Sequence, residues 1–93
     1  MNFLDLFNKV ARVARPTHLD FTPLESLDQQ IKETELDSLD TMVLCMYMAE
    51  LYGISDETSK DMLPETPQQL LDFLVIHKTK EPQSVEQAMA EVL

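Results

Sequence analysis

The sequence contains one glycine, one cysteine and no tryptophan, and the first two shortages each exclude a class of structure. A single glycine leaves almost no material for tight hairpin turns, and no segment alternates apolar and polar residues as strands do. The one cysteine, Cys45, cannot form an internal disulfide, which favours a reducing, cytoplasmic setting. We therefore expect an all-α protein without disulfides.

Basic residues are also few, with 7 Lys and Arg against 17 Asp and Glu, so the formal net charge is −10. Such a surface repels nucleic-acid phosphates and is attracted to basic protein surfaces. No apolar run approaches the roughly 18 residues of a membrane span, and the N-terminus lacks the apolar core of a secretory signal. The sequence predicts a monomer that binds no nucleic acid and spans no membrane.

Metal ligands and catalytic groups are sparse as well. His18 and His77 have no partner at the spacing of a zinc site, and the only glycine, Gly53, does not lie in a calcium-binding loop. The chain also lacks the glycines of a nucleophile elbow. We expect no metal site and no catalysis by the chain itself.

Helical periodicity and capping residues predict the helices. An amphipathic helix spans about Asn2 to Ala14, and a second helix begins at Asp37 or Ser38 and ends near Tyr52, where Gly53 suits the left-handed position that closes a helix. The remaining predicted helices are a weak segment over residues 56–62, one that starts at Thr66-Pro67, and a short one after Ser84. The fold class is a compact four-helix bundle with a long loop between its first two helices, plus a short extra C-terminal helix.

The segment Glu35-Leu36-Asp37-Ser38-Leu39-Asp40 directly precedes the apolar run from Thr41 to Tyr52. Asp37 as the N-cap accepts amide hydrogens of the first turn and leaves the side chain of Ser38 to project outward. A helix N-terminus also favours a negatively charged group. A near copy, Glu25-Ser26-Leu27-Asp28, is followed by no apolar stripe, so we expect Ser26 to lie in a loop.

Together these features resemble the acyl carrier proteins over roughly residues 3–78. The matching segments are Asp37-Ser38-Leu39-Asp40-Thr41, the apolar helix after it, Glu50-Leu51-Tyr52, and Thr66-Pro67-Gln68 through Leu71-Asp72-Phe73-Leu74. The resemblance implies a carrier-like domain over residues 1–79, with residues 80–93 as a C-terminal extension.

The resemblance also implies a cofactor and partners. A separate phosphopantetheinyl transferase attaches 4′-phosphopantetheine to the hydroxyl of Ser38, between Asp37 and Leu39. The thiol of this arm then carries acyl groups as thioesters between enzymes of a fatty-acid, polyketide or related dedicated lipid pathway. Ketosynthases, acyltransferases or other acyl-processing enzymes with basic surfaces are the expected partners.

Two faces of the second helix are assigned from its pattern. One is predicted to recognise partners through an apolar stripe with an acidic rim, formed by Glu35, Asp40, Met42, Val43, Met46 and Glu50. The other is predicted to line a space for the acyl chain, together with later segments, through Leu44, Met48, Ile54, Met62, Leu70 and Phe73. For both sets, simple core filling is the alternative.

Departures from the family pattern suggest a specialised member. Thr34-Glu35 stands where the family commonly has Leu-Gly, which predicts a different loop before Ser38. Val43 and Ala49 stand where carriers of fatty-acid synthesis usually have glutamates, which favours a dedicated pathway. A peptidyl or aminoacyl carrier and an acidic helical adaptor whose Ser38 is never modified remain the alternative functions.

Overall fold

The computed structural model describes residues 2–14 and 21–93, and the regular structure of this part is entirely helical. The α-helices are α1 (Phe3–Ala14), α2 (Ser38–Leu51), α3 (Asp56–Ser59), α4 (Pro67–His77) and α5 (Val85–Val92), with a short 3₁₀ helix over Ile31–Thr34. The all-α prediction is therefore confirmed for the described residues. His18 and the first part of the predicted long loop lie outside them.

Side-chain caps begin the helices where the sequence predicts them. The N–H of Asp5 donates to Asn2 Oδ1 at 3.0 Å ahead of α1. Thr66 Oγ1 accepts from the N–H of Gln69 at 3.1 Å, with Pro67 as the first residue of α4. Ser84 caps α5 in the same way. Each cap pairs an amide hydrogen that the helix itself leaves unpaired, which fixes where the helix starts.

Helix α2 ends as its glycine predicts. Gly53 has a φ of +64°, a left-handed conformation that a residue without Cβ adopts at low cost. Its carbonyl accepts a hydrogen bond from Thr79 Oγ1 at 2.6 Å, and a Cβ at Gly53 would collide with that hydroxyl. The carbonyl of Tyr52 accepts from the N–H groups of Thr79 and Lys80. The chain after α4 is thus tied to the end of α2.

The core lies between α1, α2 and α4, and α5 extends it. The fully buried side chains of these helices are Leu6, Phe7, Val10, Ala11, Leu44, Met48, Leu51, Pro67, Leu70, Leu74 and Ala88. Helix α5 packs on α1 and α2, so it shares the core of the other helices. The short helix predicted after Ser84 is confirmed, and it covers apolar surface of these helices.

The described part of the long loop, residues 21–37, is held in place by hydrogen bonds to α1 and to the segment before α4. The side-chain amide of Asn8 on α1 both donates to the carbonyl of Leu24 and accepts from its N–H, each at 2.9 Å. The N–H of Ile31 donates to the carbonyl of Glu65 at 2.8 Å. Ser26 lies in a turn, as predicted, and its Oγ accepts from the N–H of Asp28.

Replacement of Asn8 should destabilise the protein more than its exposure suggests. Asn8→Ala leaves both backbone groups of the buried Leu24 without their partner, so we expect the free energy of unfolding to fall by about 1 to 2 kcal/mol. Chemical denaturation measures this. The matched control is Lys9→Ala on the same helix, where loss of the exposed ion pair to Asp5 should cost about 0.5 kcal/mol or less. Equal losses would show that Asn8 does not hold the loop.

Candidate functional site

Ser38 is the first residue of α2, and its neighbours form a complete capping arrangement. The N–H of Asp40 donates to Asp37 Oδ1 at 2.8 Å, and the N–H of Asp37 donates to Asp40 Oδ2 at 3.4 Å. Ser38 is exposed, and neither its hydroxyl nor its N–H makes a hydrogen bond to another described residue. The caps fix the helix start without using the side chain of Ser38, which is left exposed to solvent.

The loop before Ser38 turns sharply at Glu35, which has a φ of +74°. Glu35 is the only non-glycine residue with a positive φ in the described part of the chain. Thr34, fully buried, donates through Oγ1 to the carbonyl of Ile31 at 2.6 Å and accepts from the N–H of Leu36 at 3.2 Å. The hydroxyl of Thr34 thus holds the turn. Glu35 takes the left-handed conformation at the position where the resembled family commonly has glycine.

A cleft of about 850 Å³ opens beside Ser38. Helix α2 forms one side of it, and the 3₁₀ helix, α3 and residues 62–65 form the rest. Its apolar lining consists of Ile31, Leu36, Met42, Cys45, Met46, Met62, Leu63 and Pro64. Pockets of this size and apolar character are typical of sites for small molecules or flexible chains. The exposed Ser38 and an apolar space therefore lie side by side.

Cys45 marks the inner wall of this cleft. Its side chain is 7% exposed, and burial raises the pKa of the thiol from 9.0 to about 11. A thiol with so high a pKa stays protonated at neutral pH and is a poor nucleophile. Cys45 therefore acts as a small apolar side chain of the cleft wall.

The face of α2 predicted to recognise partners is largely exposed. Leu39, Met42 and Met46 are 64%, 59% and 55% exposed, which is unusual for large apolar side chains. Glu35 and Glu50 are exposed as well, and Asp40 is half-buried. Val43 is half-buried against the core. We call Leu39, Met42 and Met46 the apolar face of α2.

The residues predicted to line an acyl-chain space lie in two places. Met62 lies in the cleft wall. Leu44, Met48 and Leu70 are fully buried in the core, and Ile54 is buried with them. Phe73 is half-buried and stacks on His77 with ring centroids 4.4 Å apart. For these five residues, contact with an acyl chain stays a prediction that requires the core to open.

Sequence reasoning missed several residues of the cleft wall. Ile31 and Leu36 belong to the loop before α2, and Leu63 belongs to the segment between α3 and α4. These segments have no helical period that would assign their side chains to a face. The sequence offered only a weaker signal than helical periodicity, which is that isolated large apolar residues in loops usually pack on another part of the protein.

Comparison with protein-family models found no match, and the searches of curated proteins and of solved structures likewise found no similar chain. None of the helices that the structure describes has the length and apolar character needed to cross a bilayer.

Glu35→Gly should stabilise the protein. A left-handed conformation costs a non-glycine residue roughly 1 to 2 kcal/mol, and replacement by glycine removes this cost. The greater conformational freedom of glycine in the unfolded chain offsets part of the resulting gain in stability. We expect the free energy of unfolding to rise by about 0.5 to 1 kcal/mol in chemical denaturation. Glu35→Ala, which removes the carboxylate but keeps the Cβ, is the control and should give no such gain. Destabilisation by Glu35→Gly would show that contacts of the Glu35 side chain outweigh the backbone cost.

Burial of Cys45 predicts a pH dependence of stability. Because the folded pKa of about 11 lies above the unfolded value near 9, the unfolded chain loses the thiol proton first between these pH values. The free energy of unfolding contributed by Cys45 is complete below pH 9 and falls as pH rises towards 11. Denaturation of the wild type and of Cys45→Ala over this range should give a steeper decline in the wild type. Parallel declines would show that the thiol ionises equally in both states.

Proposed function

We propose that this protein is an acyl carrier that bears a 4′-phosphopantetheine arm on Ser38. The observation that carries the proposal is the position of Ser38, whose exposed hydroxyl lies at the start of α2 and in the lining of an apolar cleft. A tethering residue needs access for a transferase, and a flexible cargo needs apolar shelter nearby. Both requirements meet at Ser38.

The residues around Ser38 suit an attached phosphodiester. The N–H groups of Ser38 and Leu39 make no hydrogen bond to other described residues, so they can donate to an anion at the helix start. Asp37 and Asp40 bring negative charge close to the phosphate, and the partial positive charge of the helix N-terminus offsets part of this repulsion. When bound, the group supplies a terminal thiol that holds acyl cargo as a thioester.

The cleft explains how cargo would be sheltered between enzymes. Its wall carries three methionines, Met42, Met46 and Met62, whose flexible side chains repack around ligands of different shape. Burial of an apolar chain there removes its surface from water, a gain of about 25 cal/mol per Å². The proposed carrier therefore keeps its acyl group out of water without catalysing any reaction on it.

The acidic surface of the chain suits enzyme partners with basic surfaces. Acidic residues exceed basic ones by 17 to 7, and Glu35 and Glu50 flank the apolar face of α2. Opposite charges speed encounter, and apolar contacts at the centre of an interface slow dissociation. A phosphopantetheinyl transferase and acyl-processing enzymes of a dedicated cytoplasmic lipid or polyketide pathway are the proposed partners.

An unmodified acidic adaptor is the second candidate. The exposed apolar face of α2 favours it, since Leu39, Met42 and Met46 would form a docking surface even if Ser38 never carried an arm. Met42 and Met46 also line the cleft beside Ser38, so the cleft and this docking surface overlap and the cleft by itself does not separate the two candidates. Covalent mass separates the two candidates directly.

Co-expression with a broad-specificity phosphopantetheinyl transferase should add one arm to the protein. We expect the intact mass to rise by about 340 Da in the wild type and in Ser26→Ala, with no change in Ser38→Ala. Ser26→Ala is the matched control, because it removes the serine of the similar segment Glu25-Ser26-Leu27-Asp28. An unmodified wild type with several transferases would favour the adaptor.

Met42→Glu should weaken recognition by the transferase without unfolding the protein. Met42 is 59% exposed, so we expect the free energy of unfolding to change by no more than about 0.5 kcal/mol. Loss of an apolar contact at the centre of an interface should lower kcat/KM for loading of Ser38 about fivefold or more. The control is Ile76→Glu, at an exposed apolar position on α4. Equal loading rates would exclude Met42 from the interface, and loss of folding would make it a core residue.

A further inference from the structure

Two lysines in the cleft lack the partners that other basic side chains have. Six Lys and Arg residues belong to the described part of the chain. Lys9, Lys78 and Lys80 form ion pairs with Asp5, Glu81 and Glu91, and Arg12 lies over the ring of Phe21. The remaining two are Lys32 and Lys60, and neither forms an ion pair with another described residue.

Both of these lysines line the cleft beside Ser38. Lys32 belongs to the 3₁₀ helix and Lys60 directly follows α3, so two separate elements bring a cation to the same apolar space. Three carboxylates, Asp37, Asp56 and Glu65, also line the cleft, yet none of them forms an ion pair with the exposed Lys32 or Lys60. A chain with only 7 basic residues thus contributes two of them to one cleft.

A saturated acyl chain with a methyl end makes no favourable polar interaction with a cation at its binding site. An acyl chain that ends in a carboxylate does, because charge-assisted hydrogen bonds to an ammonium group are strong and gain strength beside apolar walls. We infer that Lys32 and Lys60 make the cleft selective for acyl groups that end in a carboxylate, such as half-thioesters of dicarboxylic acids. This inference rests on the proposed carrier function, which it deepens by naming the class of cargo.

The test uses free ligands and the unmodified full-length chain. The probes are the octanoyl thioester of pantetheine, the suberyl half-thioester of pantetheine, which has the same number of carbons but ends in a carboxylate, and 4′-phosphopantetheine without an acyl group. Dissociation constants come from NMR titration. We expect the carboxylated thioester to bind about threefold to tenfold more tightly than the octanoyl thioester, and this preference should shrink at high salt.

The variants assign that preference to the two lysines. In the double variant Lys32→Gln/Lys60→Gln both thioesters should bind equally, whereas Lys78→Gln, the control at an exposed lysine outside the cleft, should keep the wild-type preference. Equal affinities in the wild type, a preference that survives in the double variant, or no binding of either thioester would overturn the inference. Tight binding of 4′-phosphopantetheine that the double variant abolishes would overturn it too, since the lysines would then bind the phosphate of the arm.

These outcomes are independent of whether Ser38 is ever modified, because no probe is attached to the protein. Failure of the proposed carrier function would instead appear as an unchanged intact mass after treatment with transferases.

Discussion

Helix α2 carries apolar side chains on nearly every face, and the arrangement of the molecule depends on how that excess is divided. A 93-residue chain buries only part of its surface and cannot enclose a helix of this kind on all sides. Leu44, Met48 and Leu51 are buried in the core, where α2 packs on α1. Cys45 forms the inner wall of a cleft, Met42 lines the same cleft and stays largely exposed, and Leu39 is exposed outside it. The cleft and the exposed face thus have one cause.

Capping decides where this divided helix begins and therefore where Ser38 lies. The reciprocal bonds between Asp37 and Asp40 end the loop at one residue, and the buried hydroxyl of Thr34 fixes the turn before it. In that turn Glu35 adopts a left-handed backbone conformation, which is less favourable for glutamate than for glycine. Proteins retain such unfavourable backbone conformations where the local geometry matters for function.

Helix positions were predictable from the sequence because their signals are local. Asn2, Thr66 and Ser84 cap helices where their spacing indicates, and Gly53 closes α2. The amide of Asn8, which binds the backbone of Leu24 sixteen residues away, gives no local signal.

The cleft was harder to foresee for the same reason. Its wall combines α2 with Ile31 and Leu36 from a loop and Leu63 from another, and no periodicity joins such segments. The exposed apolar stripe of α2 was predictable, because apolar residues occupy nearly every face of this helix in the sequence. The sequence did not reveal which methionines face the cleft and which fill the core. Met42 and Met48 lie on the same helix and differ only in the direction of their side chains.

The methionines also report directly on whether cargo attached to Ser38 enters the cleft. The chain has six of them, and each ¹³C-labelled methyl group gives one NMR signal. After loading of Ser38 with an octanoyl-4′-phosphopantetheine arm, we expect shifts for Met42, Met46 and Met62 in the cleft, with Met48 in the core and Met89 on α5 unchanged. Shifts confined to Met48, or a loaded protein whose cleft methionines do not change, would contradict it.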